Sequence, residues 1–205
     1  MDLRKATIED VSEVMRVFAQ ARRVQRIAGF RQWEDGYPST DVLMSDINNA
    51  IGFILDDSGK TAGYVAIASD DREYNRHPEL WNIDKTYAVF HRIALSDDYR
   101  GRKLSGELFD LAESQALRMG VDFVRIDTGL ENRPMQHILS KRDTSILAAA
   151  ISSGAKDWPT KSHSPSLHFD FRQIKIYTPP HYRTKCFQQD KRPAESQWAF
   201  LCSGA

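Results

Sequence analysis

An α/β layer architecture is predicted by three features of this sequence. Segments of strand patterning and segments of helical spacing alternate through the first 141 residues, in the order β α α β β β α β α. Hydrophobic residues make up 41% of the 205 residues and charged residues 27%, which is enough apolar material for a packed core. No internal repeat divides the chain, so one medium domain with a tail is expected.

Leu3 to Ala6 reads as a short strand. Thr7-Ile8-Glu9-Asp10 has the form of a helix start, with an acidic residue three places on able to reach back. Val11, Val14, Met15, Phe18 and Ala21 then recur at helical spacing. After the Gly36-Tyr37-Pro38 turn, a second helix is expected from Thr40 or Asp41 to about Asn49. Ile51 to Leu55 and Ala62 to Ala68, joined through Asp56-Asp57-Ser58-Gly59, read as a hairpin. Residues 70–83 are polar and irregular. Thr86 to Leu95 is β-rich and mostly apolar, Leu104, Leu108, Leu111 and Ala112 mark a helix ending near Gly120, and Phe123 to Ile126 is a short buried strand. Asn132 to Lys141 is the last helix, with Pro134 tolerable in its first turn.

Charge and composition exclude several classes. Lys+Arg 28 against Asp+Glu 28 argues against a dedicated nucleic-acid binder, which is usually basic. No apolar run is long enough for a membrane span, and Met1-Asp2-Leu3-Arg4-Lys5 lacks the apolar core of a secretory leader. Cys186 and Cys202 alone make neither a disulfide scaffold nor a four-ligand zinc site, so no metal is expected. A soluble cytoplasmic protein is the expectation. Composition shifts near Lys141: residues 142–205 hold nine Lys/Arg against five Asp/Glu and five of the eight prolines. We therefore read 1–141 as the core domain and 142–205 as a separate tail.

The chemistry-bearing stretch is His91-Arg92-Ile93-Ala94-Leu95, the acidic turn Ser96-Asp97-Asp98-Tyr99, and then Arg100-Gly101-Arg102-Lys103-Leu104-Ser105-Gly106. A strand ends and a basic, glycine-containing loop opens a long helix. Helix starts carry free N–H groups and a partial positive charge, and glycine lets an anion approach them. The pattern is an anion cradle suited to a pyrophosphate. It is neither a P-loop nor a dinucleotide fingerprint, because the glycine spacing of both fails. A solvated basic helix start is the plain alternative.

The loop resembles the acyl-CoA-binding core of the GNAT family of N-acetyltransferases, whose pattern is Arg/Gln-x-x-Gly-x-Gly/Ala after a strand. Arg100 to Ser105 matches in register, with Lys103 where glycine is usual and Ser105 for Gly/Ala. Asn132, Met135, Ile138, Leu139 and Lys141 fall at the spacings of the family's closing Asn-x-x-Ala-x-x-Leu-Tyr-x-Lys motif. The likeness covers about residues 1–141.

The resemblance implies a mixed central sheet flanked by helices and transfer of an acetyl group from acetyl-CoA to a primary amine of a small molecule or peptide. It implies that the strands ending at Leu95 and Asp127 splay to admit the pantetheine arm, with main-chain groups around Ile93, Ala94 and Leu95 pairing with it. Residues 100–106 would hold the pyrophosphate (Arg100, Gly101, Arg102, Lys103, Leu104, Ser105 and Gly106), and Asn132 would lie beside the cofactor. The family's tyrosine acid maps to Leu139, so that role is vacant; a catalytically impaired acyl-CoA-binding protein is the alternative this raises. For the base, His91 and Tyr87 share one face of the key strand, and a histidine ordinarily titrates near neutrality. A hydrogen-bonded core role is the plain reading of His91, and a surface or packing role that of His137. Trp33, Tyr37 and Trp81 lie in loops expected at the acceptor mouth, where aromatic rings can contact an amine, although packing explains each singly. Asp56, Asp57, Asp70 and Asp71 read as solvated turn chemistry. A homodimer is compatible with this reading.

After Lys141 the family's Gly-Phe and closing strands are missing or replaced. A shifted reading frame would account for this. Read from the third base of each codon, Trp158-Pro159 must yield alanine and Ala155 to Lys161 permits the one-letter string ERLAYE, which resembles the family's closing strand. The coding DNA across codons 138–162 tests it. On this reading the strand at Phe123 to Ile126 keeps an unpaired edge and stability is low. The alternation of Leu167, Phe169 and Phe171, and of Ile174 and Ile176, leaves a substitute hairpin open, as it leaves open a basic tail that engages an acidic partner.

Overall fold

The structure is a computed structural model and describes residues 1–29, 32–75, 86–121, 123–129, 132–142, 145–150 and 166–172. Its elements are β1 (Asp2–Lys5), α1 (Val11–Ile27), α2 (Thr40–Asn48), β2 (Gly52–Asp57), β3 (Lys60–Ala68), α3 (Arg72–Asn75), β4 (Tyr87–Leu95), α4 (Leu104–Arg118), β5 (Phe123–Gly129), α5 (Arg133–Ser140), β6 (Ser145–Ala150) and β7 (Ser166–Arg172). The strands form one sheet in the order β1-β2-β3-β4-β5-β7-β6. Every neighbouring pair is antiparallel except β4 and β5, which run parallel with α4 between them in sequence.

Local chemistry accounts for the boundaries. Before α1, the Thr7 backbone N–H donates to Asp10 Oδ2 at 2.8 Å, so the acidic residue reaches back as its spacing predicts. The β2–β3 hairpin turns on Ser58 and Gly59, with φ of 51° and 87°. Two left-handed central residues match the right-handed twist of the flanking strands. Asp56 Oδ2 accepts the Gly59 N–H at 3.0 Å and closes the turn.

Strands β2, β3 and β4 are covered on both faces. Val65 and Ile67 of β3 point with Phe53, Leu55, Ala88 and Phe90 toward Leu108, Phe109 and Ala112 of α4. Tyr64 and Ala66 point with Ile54 and Ala94 toward Val14, Val17 and Phe18 of α1 and Leu43 of α2. Period-two alternation gives each strand these two faces. Ala88 and Phe90 lie on the α4 face, however, and Ala94 on the other, so the alternation of β4 breaks between them. The register there pairs Ala66 with His91 and Tyr64 with Ala94, three steps on β4 against two on β3, which is a β-bulge.

One expectation is corrected. β5 does not present an unpaired edge: Val124 to Gly129 pairs with β7 from Phe171 to Ser166, and β7 pairs in turn with β6. Alternating Leu167, Phe169 and Phe171 make a strand there, and an edge exposed beside it is the natural template for pairing. Ile174, Ile176, Cys186 and Cys202, with most of the proposed frame-shifted segment, lie outside the described residues.

Candidate active site

The parallel pair β4–β5 is joined only at Tyr87–Phe123, Ala88–Val124 and Val89–Arg125. Beyond Val89, β4 stays on β3 as far as Leu95–Gly63, while β5 stays on β7 as far as Gly129–Ser166. Two adjacent strands therefore part, and a wedge opens between their C-terminal ends. The bulge lies where they part, and Arg92 in it has a φ of 54°. A bulge bends its strand and increases the local twist. On the other side of β4, Gly63 allows close approach: a Cβ there would stand 2.8 Å from the Ala94 carbonyl oxygen.

At the end of β4 the chain makes a 3₁₀ turn at Asp97–Tyr99 and then the loop that opens α4. Gly101 has φ 75° and Lys103 φ 61°. Among the described residues, the amides of Gly101, Arg102, Lys103, Leu104 and Ser105 donate to no acceptor, while the Gly106 N–H reaches Lys103 O at 3.2 Å. A Cβ built on Gly101 or Gly106 would meet nothing within 4 Å, so both face open space. The result is a run of main-chain donors at a helix start with room before it. Lys103 occupies the left-handed position where glycine is usual, at a cost of about 1 kcal/mol. The three expected cations divide. Arg100 Nε lies 2.7 Å from Asp97 Oδ1, the Arg102 guanidinium stands 5.3 Å over the Tyr99 ring, and Lys103 is exposed.

The other sequence-predicted residues gather in two groups. Tyr87 and His91 meet at the segment leading into α3. His91 Nε2 lies 2.9 Å from Asp71 Oδ2, the Tyr87 hydroxyl donates to Asn75 Oδ1 at 2.5 Å, and the Asp71 N–H donates back to that hydroxyl at 3.4 Å. The Arg125 guanidinium stacks 3.7 Å from the Tyr87 ring. Burial pushes the Tyr87 hydroxyl above its ordinary range. Asp71 is thereby corrected from a solvated turn residue to the partner of His91. Asp56 and Asp57 lie apart from it, bonded to Arg4 and to the Tyr99 hydroxyl.

Trp33 does not line a mouth. It is 8% exposed and packs edge-on against Phe18 in the α1–α2 core, its ring centroid 5.7 Å away. Tyr37 packs on Trp33 and accepts a hydrogen bond from Arg92 Nη1 at 3.1 Å. Trp81 lies outside the described residues. Asn132 caps α5 by accepting the Met135 N–H at 3.2 Å and donates to Gln32 Oε1 at 3.0 Å, which also accepts from Thr128. The loop after α1 is thus tied to the end of β5. His137 is exposed, and Leu139, at the family's tyrosine position, is fully buried in the core under α4.

Sequence reasoning passed over Asp46 and Arg92. They form a bidentate pair, Arg92 Nε to Asp46 Oδ2 at 2.8 Å and Nη2 to Oδ1 at 2.7 Å, and the Tyr64 hydroxyl donates to Oδ2 at 2.8 Å. A lone arginine inside the apolar run Tyr87 to Leu95 was the available signal, since a charge in a buried strand needs a partner.

A wedge between parallel strands lies beside a helix start with open amides, an arrangement with the shape and the donors for an extended ligand that ends in an anion. The family comparison agrees: residues 18–142, more than half of the chain, match the acetyltransferase (GNAT) family model. The chain belongs to this family and is an acetyltransferase of the acyltransferase class. A GNAT acetyltransferase from Streptococcus agalactiae has 28% identity and a TM-score of 0.63, covering 85% of this chain and 95% of that one. That share exceeds residues 1–142, so it takes in part of the C-terminal segment. The ribosomal-protein-alanine N-acetyltransferase of Brucella melitensis has a TM-score of 0.58 at 12% identity, covering 85% of this chain and 100% of that chain. Ard1 from Thermoplasma volcanium has the same TM-score at 14% identity, covering 84% and 96%. These two are likenesses of fold alone. No curated protein matches the chain. Among the described residues, no helix is long and apolar enough to cross a membrane.

Proposed function

We propose that this chain moves an acetyl group from acetyl-CoA to a primary amine of a small molecule or a peptide. The observation that carries the reading is the parting of β4 and β5 next to five amides without acceptors among the described residues. These residues suit the cofactor. The amides of Gly101 to Ser105, with the open faces of Gly101 and Gly106 and the nearby Lys103, would hold its diphosphate. The main chain of Ile93, Ala94 and Leu95, facing the wedge, would pair with its amide-bearing arm, and Asn132 would border it.

When bound, acetyl-CoA supplies a thioester carbonyl open to attack. The protein's part is to bring the amine to it and to hold charge. A main-chain N–H on the β4 edge is suited to polarise the carbonyl oxygen as charge develops. His91 accepts the proton that the amine loses as its nitrogen takes the place of the sulfur on the acetyl carbon, the C–S bond breaking to release a thiolate, and Asp71 at 2.9 Å orients the ring. Tyr87 anchors the Asp71 segment through its bond to Asn75.

The test is twofold. Acetyl-CoA raises the melting temperature of the chain, as any ligand of the native state must. Over a panel of amines, wild type transfers acetyl, and His91→Gln lowers kcat/KM by about a hundredfold with acetyl-CoA affinity kept. Binding without turnover on any amine selects the impaired-protein reading, which the buried Leu139 favours. Absence of binding overturns both.

A further inference from the structure

Asp46 and Arg92 have no task in the reaction as derived above, yet they form the most buried ion pair among those described, with side-chain exposures of 4% and 11%. Stability is a poor reason for such a pair. Taking both charges from water costs about what their attraction returns, and apolar replacement is often neutral or better. What a bidentate pair does supply is a fixed geometry.

The geometry it fixes is that of the bulge. Arg92 has a φ of 54°, a left-handed backbone that a non-glycine residue leaves for the strand region unless its surroundings hold it. Here the side chain is held from three elements: Asp46 on α2 takes Nε and Nη2, Tyr37 on the loop before α2 takes Nη1, and Tyr64 on β3 steadies the carboxylate. Room for this network is reserved in β2. A Cβ on Gly52 would stand 2.7 Å from the Tyr64 hydroxyl oxygen. Immediately after Arg92 come Ile93, Ala94 and Leu95, the segment of β4 that leaves β5.

We propose that Asp46, acting through Arg92, is a positioning residue for acetyl-CoA: the pair keeps residue 92 left-handed and so sets the line of the β4 main chain along the wedge. This rests on the acetyltransferase reading. The pair acts from the α1–α2 face of the sheet on a main-chain edge that the cofactor uses.

Glycine separates this role from a structural one. Asp46→Asn/Arg92→Gly and Asp46→Asn/Arg92→Ala both remove the pair and leave nearly the same space, but only glycine adopts a positive φ without strain. Acetyl-CoA binding is measured by titration calorimetry on wild type and both double variants. The alanine variant is expected to bind about tenfold more weakly than the glycine variant, the factor that a left-handed alanine costs. Equal dissociation constants in the two, or weaker binding by the glycine variant, overturn the positioning role. A wild type that binds no acetyl-CoA overturns the transferase reading instead, and this role with it. Tyr64→Phe guards against double variants that do not fold, because it removes one hydrogen bond to Asp46 and no charge. It is expected to raise KM for acetyl-CoA roughly threefold with KM for the amine unchanged, a share of one modest hydrogen bond. An unchanged KM for acetyl-CoA overturns the role.

Discussion

Under α4 the sheet packs Leu55, Ile67 and Phe90 against Leu108 as aliphatic and aromatic filling. On its other face, under α1 and α2, the same strands set Tyr64, Ala66 and Ala94 around a buried ion pair. The first face is held by area removed from water and tolerates any residue of similar shape. The second is held partly by directional bonds, which fail when one partner is lost. It is this second face that meets the bend in β4, through Arg92 and Ala94. In this protein, apolar packing holds the sheet together and polar packing aims it.

The sharpest way to break the comparison is Arg92→Ala, which strands the Asp46 carboxylate in the interior. We expect a loss of about 3–5 kcal/mol in urea-monitored stability. A loss below 1 kcal/mol would mean that the pair is not desolvated as its exposure implies. On the opposite face, Leu108→Ala is expected to cost about 3 kcal/mol by cavity formation. The loss is read by urea denaturation; a loss below about 1 kcal/mol would show that the α4 face closes around the missing side chain.

Smaller effects sharpen the contrast. Lys103→Gly relieves the left-handed backbone at the start of α4 and is expected to stabilise the chain by about 0.5–1 kcal/mol, read as a rise in Tm. Glycine's extra freedom in the unfolded chain keeps the gain small. The smallest effect concerns Asp10, whose carboxylate is held by the Arg4 guanidinium, by the Thr7 N–H and by the Thr7 hydroxyl. The Arg4 bond is foremost in lowering its pKa from 3.8 to about 2. A depressed carboxylate stabilises the fold fully above its ordinary pKa, and that contribution fades as pH falls from 3.8 toward 2. The stability difference between wild type and Asp10→Asn should therefore be greatest at pH 5–6 and shrink below pH 4, checked by denaturation at each pH. A difference that grows on acidification would reverse the sign of this account.

Much of the fold was legible in the chain. The helix start at Thr7 to Asp10, the Ser58-Gly59 turn and the apolar face of α1 depend on contacts within a few residues, so spacing reveals them. The loop from Arg100 to Gly106 was legible for the same reason, since a helix start carries its own donors. The gathering of Asp71 with His91, of Asp46 with Arg92 and of Gln32 with Asn132 was not legible. The members of these pairs are 20, 46 and 100 residues apart in sequence, and nothing local couples them. The aromatic residues misled for a related reason. Trp33 and Tyr37 lie in a loop by sequence, yet the loop folds back, and Trp33 fills the core. The pairing of β5 with β7 was foreshadowed by alternation at Leu167, Phe169 and Phe171, but alternation names a strand and not its neighbour.

Periodicity and turn chemistry, then, sufficed for the order of the longer strands and helices, though not for α3, and for the loop that opens α4, because these arise from forces acting over one or two turns of chain. The wedge did not follow from them. It needs two strands that are parallel and adjacent, a residue held against its backbone preference by an aspartate on a distant helix, and separate partners, β3 for β4 and β7 for β5, beyond the point where the two part. Those are long-range contacts, and they exist only once the chain has closed on itself.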